Sequence, residues 1–314
     1  MSTLNLPVPR DFDLARAVCS YGYFILAPNR WTPGNARTQA LHRPLRGRRE
    51  RLIQTVIRQR GDRLQIACDK TLDRDEQASI KQQVTRMLRI HEDFGDWRRL
   101  HPRAARGRFA RLFRSPTLSE DIVKTITSCN VTWPNTRRMN TLLCQHVGKG
   151  GFPTARQLAR IEPGQLKERC KVGYRADRIV RLAQRVDTGD LDLSWFEQPD
   201  RTRDDVYHGL LDIHGLGPFA AANLCQTLGH YDRIAIDSET YRHYCQTQGI
   251  ARPDDPRKLH DAIDAHYAKY APYQFLAYWF DLWGDYERFV GRQSDQWQED
   301  VADSFTAGKR GSDL

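Results

Sequence analysis

The chain has 314 residues, room for two or three packed units, and 39% hydrophobic content with seven Trp argues against a disordered protein. No stretch reaches the ~18 consecutive apolar residues of a membrane span. The first apolar run, 21–28, is too short for a signal peptide and follows Asp11 and Asp13. A soluble intracellular protein is therefore expected, cytoplasmic with the nucleoid in a bacterium or nuclear in a eukaryote. The seven Cys, at 19, 68, 129, 144, 170, 225 and 245, are odd in number, widely spaced and without a CxxC pair. That spacing fits reduced thiols rather than disulfides or a zinc site, so no metal is expected. No Cys follows Cys245, which argues against a C-terminal iron–sulfur cluster.

The net charge of +10 is unevenly spread. Residues 1–186 carry 37 Lys and Arg against 16 Asp and Glu, whereas 187–314 carry 12 against 23. A basic body points to a polyanion, held through counterion release, and 40 of the 49 basic residues are Arg, suited to bidentate phosphate contacts. A solvated charged surface is the plain alternative.

In chain order, the first 72 residues read as a β-rich domain. The aromatic and aliphatic run 21–26 reads as a strand stopped by Pro28, and 51–59 with 63–69 reads as a hairpin about Gly61-Asp62. The period then becomes helical, with Ile80, Val84, Met87 and Leu88 on one face. Helices are expected near 118–129, 134–146, 153–161, 174–187, 204–213, 218–229, 238–248, 256–270 and 272–290, several opened by a proline. The helical region is taken as 73–292 and the polar tail, expected to fray, as 293–314. The expected class is α+β: a small N-terminal antiparallel β-rich domain before a large all-helical body.

The most informative stretch is 210–224, LLDIHGLGPFAAANL. A helix ends near Ile213, Gly215 and Gly217 permit positive φ in a tight turn, and Pro218 opens a second helix. N–H groups at Gly215, Leu216, Gly217 and Phe219 then converge on one point that fits a phosphate oxygen. An ordinary αα-hairpin would use the same glycines for the turn alone. Twenty residues past Gly217, the run 234–236 leads into Asp237, followed by a helix. Asp237 suits a helix cap, and a carboxylate so placed also suits stabilisation of a sugar cation or activation of water.

The hairpin with its downstream Asp resembles the helix-hairpin-helix/Gly-Pro-Asp superfamily of DNA glycosylases, in particular the group of 8-oxoguanine DNA glycosylase and 3-methyladenine DNA glycosylase II. The resemblance spans about 115–295 and, more loosely, the β-rich start. It is also carried by the segment from Leu112 to Asn130, by the Gly-Tyr-Arg-Ala run at 173–176, and by the aromatic segment from Pro272. It implies an enzyme that flips a damaged base from duplex DNA and cuts its N-glycosidic bond, with Asp237 catalytic. It implies that Asn130 fills the hole left by the flipped nucleotide, Tyr174 wedges into the stack and Arg175 bonds the orphaned base. Gly22, Phe219, Tyr278 and Leu282 would line the base pocket.

Three positions depart from the pattern. Phe219 stands where bifunctional members carry the Schiff-base Lys, so its ring either packs in the core or faces the pocket, and the expected enzyme is monofunctional. Asn135 replaces a second opposite-base Arg, and Glu239 replaces a His. The expected substrate is a damaged purine, alkylated ahead of oxidised, in double-stranded DNA, and the expected enzyme is a monomer. No cofactor is expected beyond a monovalent cation at the hairpin. Two alternatives stand beside this reading: an 8-oxoguanine-type lyase using another amine such as Lys124, and a catalytically silent DNA-damage-binding protein.

Overall fold

The computed structural model describes residues 1–297. Five strands, β1 (Ser2–Pro7), β2 (Arg30–Thr32), β3 (Ala40–Arg46), β4 (Leu52–Arg60) and β5 (Arg63–Cys68), form an antiparallel sheet in the order β1-β5-β4-β3-β2. Gly61 and Asp62 make the two-residue turn between paired Arg60 and Arg63, with Gly61 at φ +60°. Pro44 sits in β3 where its partner is Gln54 of β4, beyond the 40–42 stretch that β2 covers. There a missing N–H is tolerated, as on an edge.

The helices are α1 (Leu14–Val18), α2 (Arg74–Leu88), α3 (Gly95–Leu100), α4 (Pro102–Arg106), α5 (Leu118–Ser128), α6 (Trp133–His146) and α7 (Ala155–Ala159). They continue with α8 (Pro163–Cys170), α9 (Arg175–Thr188), α10 (Arg203–Leu211), α11 (Pro218–Leu228), α12 (Ser238–Gln248), α13 (His260–Tyr267) and α14 (Gln274–Val290). The α+β class holds, with the sheet first and a helical body after it.

Some local readings change. The run 21–26 is not a strand but a 3-10 turn, Gly22–Ile25. Tyr21, Tyr23, Phe24 and Leu26 are all buried, so no solvent face imposed the two-residue alternation that would mark a half-buried strand. The expected helix over 256–270 is three pieces, a 3-10 turn, α13 and a second 3-10 turn. Helices α3, α4 and α8 are short, and a window tuned to long amphipathic stripes passes over them.

Two hydrophobic cores organise the chain. The first joins the inner face of the sheet (Leu41, Ile53, Ile57, Ile66) to α2 and to Phe275, Leu276, Leu282 and Trp283 of α14. The second is built by α5 to α11. The chain's first and last elements thus share one core, and the middle helices make the other. Trp297 is buried against Phe24 and Trp283, so the first core extends past Gln293; the rest of the expected tail, 298–314, lies outside the described residues.

Side chains bridge the cores. Tyr21 donates to Asn223 Oδ1 at 2.8 Å, and the Arg43 guanidinium of β3 pairs with Glu120 of α5 at 2.6 Å. No described helix is long and apolar enough to cross a membrane.

Candidate active site

The hairpin forms as the glycines suggest, with one change. Gly215 has φ +90°, the left-handed region that favours glycine. Gly217 has φ −97° and is extended. A Cβ at Gly217 would meet no protein atom within 4 Å, so glycine there leaves open clearance above the start of α11. Leu216 between them is buried in the second core and anchors the turn. No side chain among the described residues caps α11, so its first-turn N–H groups have no side-chain acceptor there. Arg178 of α9 lies across Gly215, within hydrogen-bond distance (3.3 Å) of its carbonyl.

Asp237 is the N-cap of α12. Its Oδ1 accepts from the Glu239 and Thr240 amides at 3.0 and 2.9 Å and from the Thr240 hydroxyl at 3.0 Å. Oδ2 accepts no hydrogen bond among the described residues. Burial pushes the Asp237 pKa up from its ordinary value, and the Thr240 bonds oppose that shift. The carboxylate is thus divided between two oxygens: Oδ1 is fastened to the helix, and Oδ2 is unbonded among the described residues.

Around this carboxylate the sequence-derived residues fall in different places. Tyr278 is 3% exposed, and its hydroxyl lies 3.0 Å from that of Thr240. It therefore sits behind Asp237 within the packing instead of presenting an open wall. Leu282 is a core residue of α14. Phe219 belongs to neither core and is half-exposed at the start of α11, which corrects the core-packing expectation and leaves its ring at the hairpin. Gly22 lies under the indole of Trp133. Glu239 is bound by Arg242 at 2.7 Å and by the Tyr286 hydroxyl at 3.0 Å, and Arg242 also reaches Asp285, fastening α12 to α14.

Asn130 and Arg175 come together. Asn130 is exposed at φ +52°, the tip of the turn after α5. Arg175 is 6% exposed, and its guanidinium donates to the carbonyls of Ile126, Cys129 and Asn130. Its observed partners are the end of α5 and the Asn130 turn. Tyr174 is 53% exposed, with the guanidinium carbons of Arg175 and Arg178 at 4.6 and 4.9 Å from its ring centroid. Asn135 donates to Thr132 Oγ1 at 3.1 Å, a local bond at the start of α6.

Lys124 is wholly buried. Its ammonium pairs with Glu120 at 2.7 Å and lies near the rings of Tyr23 and Phe152. Burial raises the Glu120 pKa, but Arg43 and Lys124 overcome this and hold it down to about 2. The triad Arg43–Glu120–Lys124 ties the sheet to α5, and its amine is buried from solvent.

Sequence reasoning missed Thr240, Asn223, Arg178 and Trp133. Thr240 was accessible as the N3 residue of a capping box headed by Asp237. The others act through contacts between distant segments and leave no local signal.

No family model matches the chain, and no curated protein matches it by sequence. Solved structures do match. An 8-oxoguanine glycosylase/lyase of Clostridium acetobutylicum superposes in its apo form with a TM-score of 0.63 at 17% identity, covering 89% of this chain and 96% of that one. The same enzyme in complex with double-stranded DNA containing cytosine opposite 8-oxoG matches with a TM-score of 0.63 at 16% identity, covering 93% and 99%. A 3-methyladenine DNA glycosylase from Archaeoglobus fulgidus matches with a TM-score of 0.68 at 15% identity, covering 91% and 99%. The chain therefore has the helix-hairpin-helix fold of these glycosylase structures.

Proposed function

We propose that the protein is a monofunctional DNA glycosylase of base-excision repair, which flips a damaged purine out of duplex DNA and hydrolyses its N-glycosidic bond. The observation that carries this reading is Asp237, one oxygen tied to α12 and the other unbonded among the described residues, on the element that follows the hairpin. The hairpin supplies uncapped N–H groups for a phosphate, and Asn130 and Tyr174 are exposed for the duplex. A carboxylate held this way stabilises positive charge on the sugar as the base leaves, or orients the attacking water. The likeness to glycosylase structures agrees with this assignment.

The absence of a Schiff base rests on two residues. Phe219 has no amine, and the Lys124 ammonium is buried in its ion pair. An alkylated purine is already a good leaving group and needs only water and one carboxylate, so it ranks ahead of 8-oxoguanine. The test is borohydride trapping during turnover on duplexes carrying one modified base each. The expected product is an intact abasic strand, cut only by added alkali, with no trapped adduct. A trapped adduct would restore the lyase reading, and release of uracil alone would remove the purine reading. If no base is released while damaged duplex is still bound selectively, the protein is a damage sensor.

A further inference from the structure

Trp133 opens α6, three residues after the exposed Asn130 tip. Its ring lies on Gly22, where a Cβ would stand 3.0 Å from Cη2 and Cζ2 of the indole. Gly22 is not at positive φ, so its conformation does not call for glycine; the space taken by the Trp133 ring does. The Trp133 indole N–H is buried from water and has no acceptor among the described residues. Buried donors without partners are uncommon in folded proteins and call for an explanation, a ligand atom being one.

The surroundings place this donor by the proposed base site. Tyr21, next to Gly22, bonds Asn223 at 2.8 Å and lies 5.0 Å from Trp279, centroid to centroid. Asn223 is one helical turn along α11 from Phe219. Burial raises the Tyr21 pKa most, the Asn223 hydrogen bond opposes the shift, and the charges of Asp121 and Asp237 add to it. Gly22, Trp133, Tyr21, Asn223 and Phe219 thus form one linked set between the two cores.

We propose that Trp133 is a base-selecting residue, its ring walling the pocket and its N–H donating to an acceptor on the flipped base, either a ring nitrogen with a lone pair or a carbonyl oxygen. This rests on the glycosylase reading. A base edge presenting only hydrogens at that point would meet donor with donor and be refused. The role differs from that of Tyr278, whose hydroxyl is already engaged behind Asp237.

The test uses Asp237→Asn protein, which leaves DNA intact, with and without Trp133→Phe. Affinities are measured by fluorescence anisotropy for undamaged duplex and for duplexes holding 3-methyladenine, 7-methylguanine or hypoxanthine. Trp133→Phe keeps a ring and removes the donor. The expected result is about a tenfold loss of damaged-over-undamaged preference, the scale of one neutral hydrogen bond, with undamaged affinity unchanged. Gly22→Ala, whose Cβ displaces the ring, should lower the same preference and serves as the test if Trp133→Phe fails to fold. Preference kept in both variants overturns the proposal alone. No preference for any damaged duplex before Trp133 is altered removes the glycosylase reading and the proposal together.

Discussion

Tyr278 reaches Asp237 through a single hydroxyl. The Thr240 Oγ1 donates to Asp237 Oδ1 at 3.0 Å and stands 3.0 Å from the Tyr278 hydroxyl. Since the Thr240 proton is committed to the carboxylate, Tyr278 is the donor in the second bond. The buried phenol therefore fixes the orientation of the group that fixes Asp237.

Tyr278→Phe removes one buried donor and keeps the ring. The expected cost is about 1 kcal/mol of stability, with a fall in kcat of up to about tenfold and little change in KM or in the order of preferred bases. Unfolding and steady-state kinetics on one modified duplex check this. A changed base preference at unchanged kcat would show instead that Tyr278 meets the base directly.

The raised pKa of Asp237 has a definite sign in stability. The folded state holds this proton more tightly than the unfolded chain, so ionised Asp237 costs stability. The cost is fully present above the folded pKa and vanishes below the unfolded one. Asn also serves as an N-cap. Asp237→Asn should therefore melt at or above the wild-type temperature at pH 7, and the difference should shrink as pH falls into the ordinary carboxylate range. Thermal unfolding at several pH values measures it; a variant clearly less stable at neutral pH would contradict the assigned burial cost.

Arg175 supports the Asn130 turn from beneath. Arg175→Ala leaves the Ile126, Cys129 and Asn130 carbonyls without their charged donor. The expected loss is about 2–4 kcal/mol in stability, together with weaker preference for damaged duplex as the tip loosens. Denaturant unfolding and competitive duplex binding report the two effects. Wild-type stability in the variant would mean that the buried guanidinium is not structural.

Much of the architecture was legible because it depends on local signals. Gly61-Asp62, the Gly215-to-Pro218 turn and the helix after Asp237 are short-range patterns, and each forms where its residues suggest, with Gly217 extended where a positive φ is expected. The 21–26 run was misread because burial of Tyr21, Tyr23, Phe24 and Leu26 erases the two-residue alternation. Arg175 and Tyr278 could be located but not oriented: their partners lie 45 to 49 and 38 residues away. The contact of Trp133 with Gly22 joins segments that only the folded chain brings together.

The measurement closest to the central claim is single-turnover base release by wild type and Asp237→Asn on duplexes containing 3-methyladenine, 7-methylguanine, hypoxanthine, 8-oxoguanine or uracil. The wild type should release a modified purine, the variant should be slower by about a thousandfold or more, and the two duplex affinities should lie within about threefold of each other. Base release by Asp237→Asn at the wild-type rate would contradict that claim.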